Sequence, residues 1–227
     1  MWTTARLPSA STLASPASEF PAPAGDASVA PAGRTSRRGA RGAGRRRVFF
    51  ALWPDAEAKP ALSALAAAVA RARGGRPTRA DQLHLTMAFI GEVAPAAMPL
   101  LRAAGVEAAA AAAPFVLTLD RPGGTARDGV AWLEAAAPPA ALMTLHEALA
   151  GALRCAGFAT EARAFRPHLT LARRCTRPAG PDAGASTSWV AESLALVAST
   201  PAPGGSRYET IAEWRLAAPA TGATAAA

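Results

Sequence analysis

The chain repeats one short frame: His84-Leu85-Thr86-Met87 recurs as His168-Leu169-Thr170-Leu171, and of 3 histidines only His146 stands outside it. Each copy lies in an apolar run, Leu83-His84-Leu85-Thr86-Met87-Ala88-Phe89-Ile90 closed by Gly91, and His168-Leu169-Thr170-Leu171-Ala172. Short apolar runs bounded by turn residues read as strands, in which residues i and i+2 project to one side. Each frame therefore presents an imidazole and a hydroxyl together. One such frame says little, because short patterns recur by chance. Two of them constrain the fold: the chain must place like strands at corresponding points of two halves.

The surrounding pattern agrees. Val48-Phe49-Phe50-Ala51-Leu52-Trp53 reads as a buried strand stopped by Pro54-Asp55, with Asp55 capping a helix over 56–73 that Gly74-Gly75 ends. After the first frame, a helical stretch over 95–113 leads to Phe115-Val116-Leu117-Thr118-Leu119 and Val130-Ala131-Trp132-Leu133-Glu134. These read as two strands around a Pro122-Gly123-Gly124 turn. After Pro138-Pro139 the order restarts: a helix to Cys155 stopped by Gly157, a strand over 160–165, the second frame, and late strands over 191–198 and 208–216. Two related halves of strands and helices point to an α+β or α/β fold of two lobes.

Charge does not assign a partner. The formal net charge is +8, but residues 1–47 carry eight Arg against Glu19 and Asp26, so +6 of it lies there and +2 in the other 180 residues. Residues 1–46 are rich in Arg, Ala, Pro, Gly and Ser without apolar periodicity, and are expected to be a disordered leader. They lack the apolar core of a secretory signal. The folded domain is expected over 47–218 and a frayed tail over 219–227. No run approaches the ~20 bulky apolar residues of a membrane span, so a soluble, cytoplasmic protein is expected. Cys155 and Cys175 form no Cys-x-x-Cys pair, and neither they nor the histidines have metal-ligand spacing, so no metal is expected.

Two imidazoles on opposite sides of one cleft suit in-line displacement at phosphorus. One takes a proton from the incoming water while the other returns one to the departing oxygen, and an ordinary imidazole titrates near working pH. Thr86 and Thr170 can donate to the non-bridging phosphate oxygens. A guanidinium matches phosphate by charge and planar donor fork; Arg173, five residues after His168, is the stronger candidate and Arg166 the weaker. His146, in Leu142-Met143-Thr144-Leu145-His146-Glu147 on a predicted helix, is assigned to a solvated face. No Gly-x-Ser-x-Gly elbow or Gly-x-x-x-x-Gly-Lys loop is present.

Over about residues 47–216 the chain resembles the 2H phosphoesterase superfamily, and within it the bacterial and archaeal RNA 2′,3′-cyclic phosphodiesterases, first described as 2′-5′ RNA ligases. The resemblance rests on Arg47-Val48-Phe49-Phe50-Ala51-Leu52, the two frames with their flanks Gly91-Glu92-Val93 and Phe165-Arg166-Pro167, and the closing Tyr208-Glu209 and Trp214-Arg215-Leu216. Met87 and Ala88 stand where bulkier or basic residues are common. The resemblance implies a bilobal α+β fold of pseudo-symmetric lobes, antiparallel sheets lining a central groove and helices outside. It implies opening of 2′,3′-cyclic phosphate RNA ends, tRNA halves among them, to 2′-phosphates by a monomer without metal or nucleotide cofactor, and a reversible 2′-5′ joining in some members. His84 and His168 would be the acid/base pair, Thr86, Thr170 and Arg173 the phosphate contacts. The order leans to His84 as acid and His168 as base, and is left open. A different cyclic phosphate or a 2′-5′ linkage as substrate, or a noncatalytic RNA-binding module using the leader, are the alternatives.

Overall fold

Val48, Phe50 and Leu52 point to one side of the first strand and Phe49 and Ala51 to the other, and all five are buried. Strand β1 (Arg46–Leu52) is therefore covered on both faces, which places it inside a sheet. The computed structural model, which describes residues 44–125, 127–177, 185–203 and 205–217, puts it there. Helix α1 (Ala58–Arg73) and strands β2 (Arg76–Pro77) and β3 (Leu85–Val93) follow, then α2 (Met98–Ala110), β4 (Phe115–Leu119), β5 (Arg121–Thr125) and β6 (Val130–Glu134). Helix α3 (Ala140–Cys155) and strands β7 (His168–Arg173), β8 (Thr187–Ala191), β9 (Ser193–Ala202) and β10 (Gly205–Arg215) complete the order.

Antiparallel strands form one eight-stranded sheet in the order β10-β9-β1-β3-β7-β6-β5, with β2 on β7. Strands β3 and β7 are paired at Leu85 and Leu169, the middle residues of the two frames. The halves thus meet as one α+β sheet at a seam rather than as two detached sheets. On one face Val48, Phe50, Leu52, Leu85 and Leu169 join the main core; on the other, Phe49, Ala51, Ala195 and Val197 form a small cluster beside Trp53 and Tyr208. Helix α1 packs on β7 and β2, and α2 packs on β9, β10 and α3. Among the described residues no helix is long and apolar enough to cross a membrane.

Local signals act as expected at several boundaries. Asp55 Oδ1 accepts the Ala58 N–H at 2.7 Å, and Gly74 ends α1 in the left-handed region at φ 63°. Elsewhere the structure departs from the pattern. Pro122-Gly123-Gly124 is not a turn but most of β5, paired with β6, while β4 pairs with β8 in a separate two-stranded sheet. The glycines serve packing: a Cβ on Gly123 would lie 2.3 Å from Trp132 Nε1, and one on Gly124 2.5 Å from Arg73 Nη1. The strand expected over 160–165 does not form; apart from Phe165 the segment is largely exposed, carries Glu161 and Arg163, and pairs with no strand among the described residues. The expected leader overlaps the fold at its end, since Arg46 opens β1 and Arg45 donates to the Glu92 carbonyl at 2.9 Å. The rest of that leader, and the tail, lie outside the described residues.

Trp214 stacks on Phe50 at 6.2 Å between ring centres and lies over Gly105 of α2, where a Cβ would come within 2.3 Å of the indole. In an exposed helix Gly→Ala stabilises by up to about 1 kcal/mol. Here Gly105→Ala should instead destabilise by about 1–3 kcal/mol through overpacking, read as a lower urea midpoint at unchanged slope.

Candidate active site

The rung between Leu85 and Leu169 turns both leucines into the core, so the residues flanking them face the opposite side. His84, Thr86, His168 and Thr170 are brought together there, on one groove surface across the seam. Each frame ends in a bulge. Ala51 pairs with Thr86 and Phe50 with Ala88, leaving Met87 without a partner; Trp132 pairs with Thr170 and Ala131 with Ala172, leaving Leu171 without one. A bulge shifts the alternation by one. Residue i+5, which strict alternation would send into the core, therefore returns to the groove face. That residue is exposed Arg173 in one half and Phe89 in the other, the latter beneath Arg47 at 5.0 Å.

The two rings are held alike. His84 Nδ1 lies 2.6 Å from the Gln82 carbonyl and His168 Nδ1 lies 2.9 Å from that of Arg166. A carbonyl only accepts, so in each neutral ring Nδ1 carries the proton and Nε2 keeps a lone pair. At His84 the Thr86 hydroxyl donates to that lone pair at 3.1 Å.

Their surroundings differ. His84 sits among Phe49, Trp53 and Tyr208, with ring centres 5.0, 5.4 and 5.4 Å away. Burial pushes its pKa down to about 4, aided by the positive charges of Arg173 and His168 and opposed by the Gln82 carbonyl. Burial likewise raises the Tyr208 hydroxyl, against Arg173 and Arg47. Among the described residues His168 has one aromatic neighbour, the edge of Trp132 at 6.1 Å. Beside it lies Glu134, paired with His168 across β6 and β7 and almost wholly buried. Its carboxylate accepts from Trp132 Nε1 at 2.6 Å, from Arg121 at 3.1 Å, and from Arg166 Nη2 at 3.0 and 2.8 Å. Burial works to raise the Glu134 pKa, but the hydrogen bonds from Trp132 and Arg166 and the two arginine charges outweigh it and hold the carboxyl below its usual range.

Of the two arginines considered as phosphate contacts, Arg173 lies on the groove face and near enough to act on both His84 and Tyr208, whereas the Arg166 guanidinium binds Glu134. His146 is not on a solvated face. It is half-buried, its Nδ1–H donates to the Met87 carbonyl at 3.2 Å, and its ring stacks on Phe165 at 3.9 Å. It thus satisfies the carbonyl of the bulged Met87 while supporting the approach to His168. Gln82, Glu134 and Trp53 carry no sequence signal as site residues, although the first is marked by its place two residues before a frame; Tyr208 is marked only as part of the closing strand. Among the described residues no group of three His, Cys, Asp or Glu could hold a metal ion.

The depressed His84 pKa has a measurable sign. Between about pH 6.5 and about 4 the unfolded chain binds a proton at this site that the folded one refuses, so stability should fall as pH falls through that window. The loss, roughly 3 kcal/mol at full extent, should shrink in His84→Gln. His146 is shifted the same way, so its His146→Asn variant isolates the His84 share in denaturant titrations at pH 7 and 4.5.

The family model of the 2′-5′ RNA ligase superfamily matches residues 46–197, from the first residue of β1 through both frames into β9. The chain belongs to the 2′-5′ RNA ligase superfamily. Within it, the RNA 2′,3′-cyclic phosphodiesterase of Escherichia coli (strain K12) is 34% identical over 172 residues, spanning 75% of this chain and 96% of that protein. The RNA 2′,3′-cyclic phosphodiesterase of Thermus thermophilus is 31% identical over 181 residues, spanning 75% and 90%. The crystal structure of E. coli LigT complexed with 3′-AMP superposes with a TM-score of 0.67 at 32% identity, covering 76% of this chain and 98% of that one. The likeness to these proteins thus extends over most of the chain in sequence and, for LigT, in fold.

Proposed function

We propose that the chain is an RNA 2′,3′-cyclic phosphodiesterase, opening the cyclic phosphate at an RNA end to a 2′-phosphate. The observation that carries this reading is the pair of imidazoles set across the Leu85–Leu169 rung, each with Nδ1 tied to the carbonyl two residues before it, which keeps the lone pair on Nε2. Water attacks phosphorus as the bond to the ribose 3′ oxygen breaks. One Nε2 takes the proton from water, and the other imidazole delivers one to the 3′ oxygen. Attack and departure lie in line, which is why the two rings must stand on opposite sides of the phosphate. The Thr170 hydroxyl donates to a non-bridging oxygen, the Thr86 hydroxyl joins it by turning from His84 Nε2 to the phosphate, and Arg173 supplies charge where it accumulates. The superfamily membership and the likeness to a LigT structure holding 3′-AMP support a nucleotide substrate.

The order of roles follows from burial. An imidazole held neutral above about pH 4 enters the reaction as a proton acceptor, so His84 is assigned the base and His168 the acid, the reverse of the order to which the resemblance leans. With this order, a substrate whose 3′ leaving group needs no proton, such as the 3′-thio analogue, should restore turnover to His168→Ala and not to His84→Ala; rescue of His84→Ala alone would instead give His84 the acid role.

Incubation with a 2′,3′-cyclic nucleotide in EDTA should yield the 2′-phosphate, read by phosphorus NMR. No turnover between pH 5 and 8, or a strict need for metal, would remove the reading. A panel of cyclic mononucleotides, cyclic-ended tRNA halves and 2′-5′ oligoadenylate separates RNA ends from other linkages and tests tRNA halves as substrate. Both histidines come from one chain, which fits a monomer, and the free thiols of Cys155 and Cys175 fit the cytoplasm. Reversible 2′-5′ joining follows when a 5′ hydroxyl takes the place of water: its oxygen bonds to phosphorus as the bond to the 3′ oxygen breaks, with the same two proton transfers.

A further inference from the structure

Neither carbonyl that fixes a histidine tautomer belongs to a strand. β3 begins at Leu85 and β7 at His168, so Gln82, in the tight turn Ala80–Gln82, and Arg166, in an irregular segment, lie outside the sheet ladder. A carbonyl free to rotate cannot impose a tautomer, so something else must hold these two. In both halves it is the same residue's side chain, tied to another strand. Gln82 Nε2 donates to the Ser206 carbonyl of β10. Arg166 Nη2 donates to both oxygens of Glu134 at the end of β6. The adjoining backbone agrees: Gln82 N–H donates to the Arg79 carbonyl at 2.8 Å, and Ala135 N–H donates to that of Pro167 at 3.2 Å. The chemistry of the two anchors has nothing in common, an amide on a carbonyl against a guanidinium on a buried carboxylate. What they share is position, residue i−2, and outcome, a proton on Nδ1.

We infer that Gln82 and Arg166 are the positioning residues of His84 and His168, each presenting its backbone carbonyl to the ring and fixing that carbonyl by anchoring its own side chain across the sheet. The inference rests on the two-histidine reading for its catalytic consequence, but its structural content stands apart from any substrate. Arg166 accordingly acts through His168 rather than on phosphate, and Glu134 is the group that makes this possible. When an anchor is lost, the ring gains access to the other tautomer, in which Nε2 carries the proton and cannot accept one.

The test removes each anchor and then restores a donor of similar reach: Gln82→Ala against Gln82→Lys, and Arg166→Met against Arg166→Lys. Turnover of a 2′,3′-cyclic nucleotide gives kcat and KM, and nitrogen-15 NMR of the imidazoles reads the tautomer directly. Gln82→Ala should shift His84 alone and Arg166→Met His168 alone toward the Nε2-protonated form. Each should lower kcat by about 10- to 100-fold with KM changed less than about threefold, and the Lys variants should recover most of the loss. Tautomers unchanged in both anchorless variants would overturn the inference, whatever their melting temperatures. So would kcat within about twofold of the parent. Should the parent turn over no cyclic phosphate, the proposed function fails, and the NMR shifts alone still uphold or overturn the positioning role.

Discussion

His84→Ala and His168→Ala are each expected to lower kcat on a 2′,3′-cyclic nucleotide by at least about 100-fold, with KM altered far less. Proton transfer occurs in the transition state, so its loss is felt there and not in ground-state binding. The two rings work on one event, departure of one oxygen as another arrives, and the double variant should therefore be little worse than either single one. A product of the two separate losses would mean that the histidines act in independent steps. The pair also separates the enzyme from a noncatalytic RNA-binding module, in which both variants would bind RNA as the parent does and deletion of residues 1–46 would abolish binding. His84 is packed among Phe49, Trp53 and Tyr208, so His84→Gln, closer in volume than Ala, guards against reading a packing defect as lost chemistry.

Arg173→Met is expected to lower kcat/KM by about 10- to 100-fold, since a charge-assisted contact to phosphate contributes about 1.5–3 kcal/mol. The residue is exposed on the groove face, so folding should be little affected. A second, independent effect follows from the same charge. Arg173 helps to hold His84 neutral, so without it the His84 pKa should rise from about 4 toward its ordinary value. The unfolded chain would then hold less of a proton advantage, and the acid-side loss of stability should be smaller than in the parent. An activity loss with no change in the acid-side stability of the folded protein would place Arg173 farther from His84 than the groove geometry has it.

The frame residues are legible in the sequence because strand alternation is a local rule: it makes His84 and Thr86, and His168 and Thr170, share a face wherever the strands lie. Arg173 is legible only in part. Its spacing from His168 is odd, and a groove position depends on the bulge at Leu171, which local composition does not announce. The surroundings of His84 are not legible, since Phe49, Trp53 and Tyr208 come from points up to 159 residues apart and meet only after β10 pairs with β9 and β9 with β1. Pro122-Gly123-Gly124 is misread for a related reason. Proline and two glycines imply a turn when only neighbours in sequence are considered, while here the missing Cβ atoms make room for Trp132 and Arg73 arriving from elsewhere. His146 is misplaced because its partners, the Met87 carbonyl and Phe165, are likewise remote.

Most strands of the sheet are tied to their neighbours by several successive rungs, so their spacing is over-determined and a single substitution is absorbed. The seam has no such redundancy. Among the described residues one rung between Leu85 and Leu169 joins β3 to β7, and two fully buried leucine side chains beneath it fill the space there. They act as a hinge pin: the angle between the halves, and with it the gap between the two imidazoles, is gauged by hydrocarbon on the far side of the sheet.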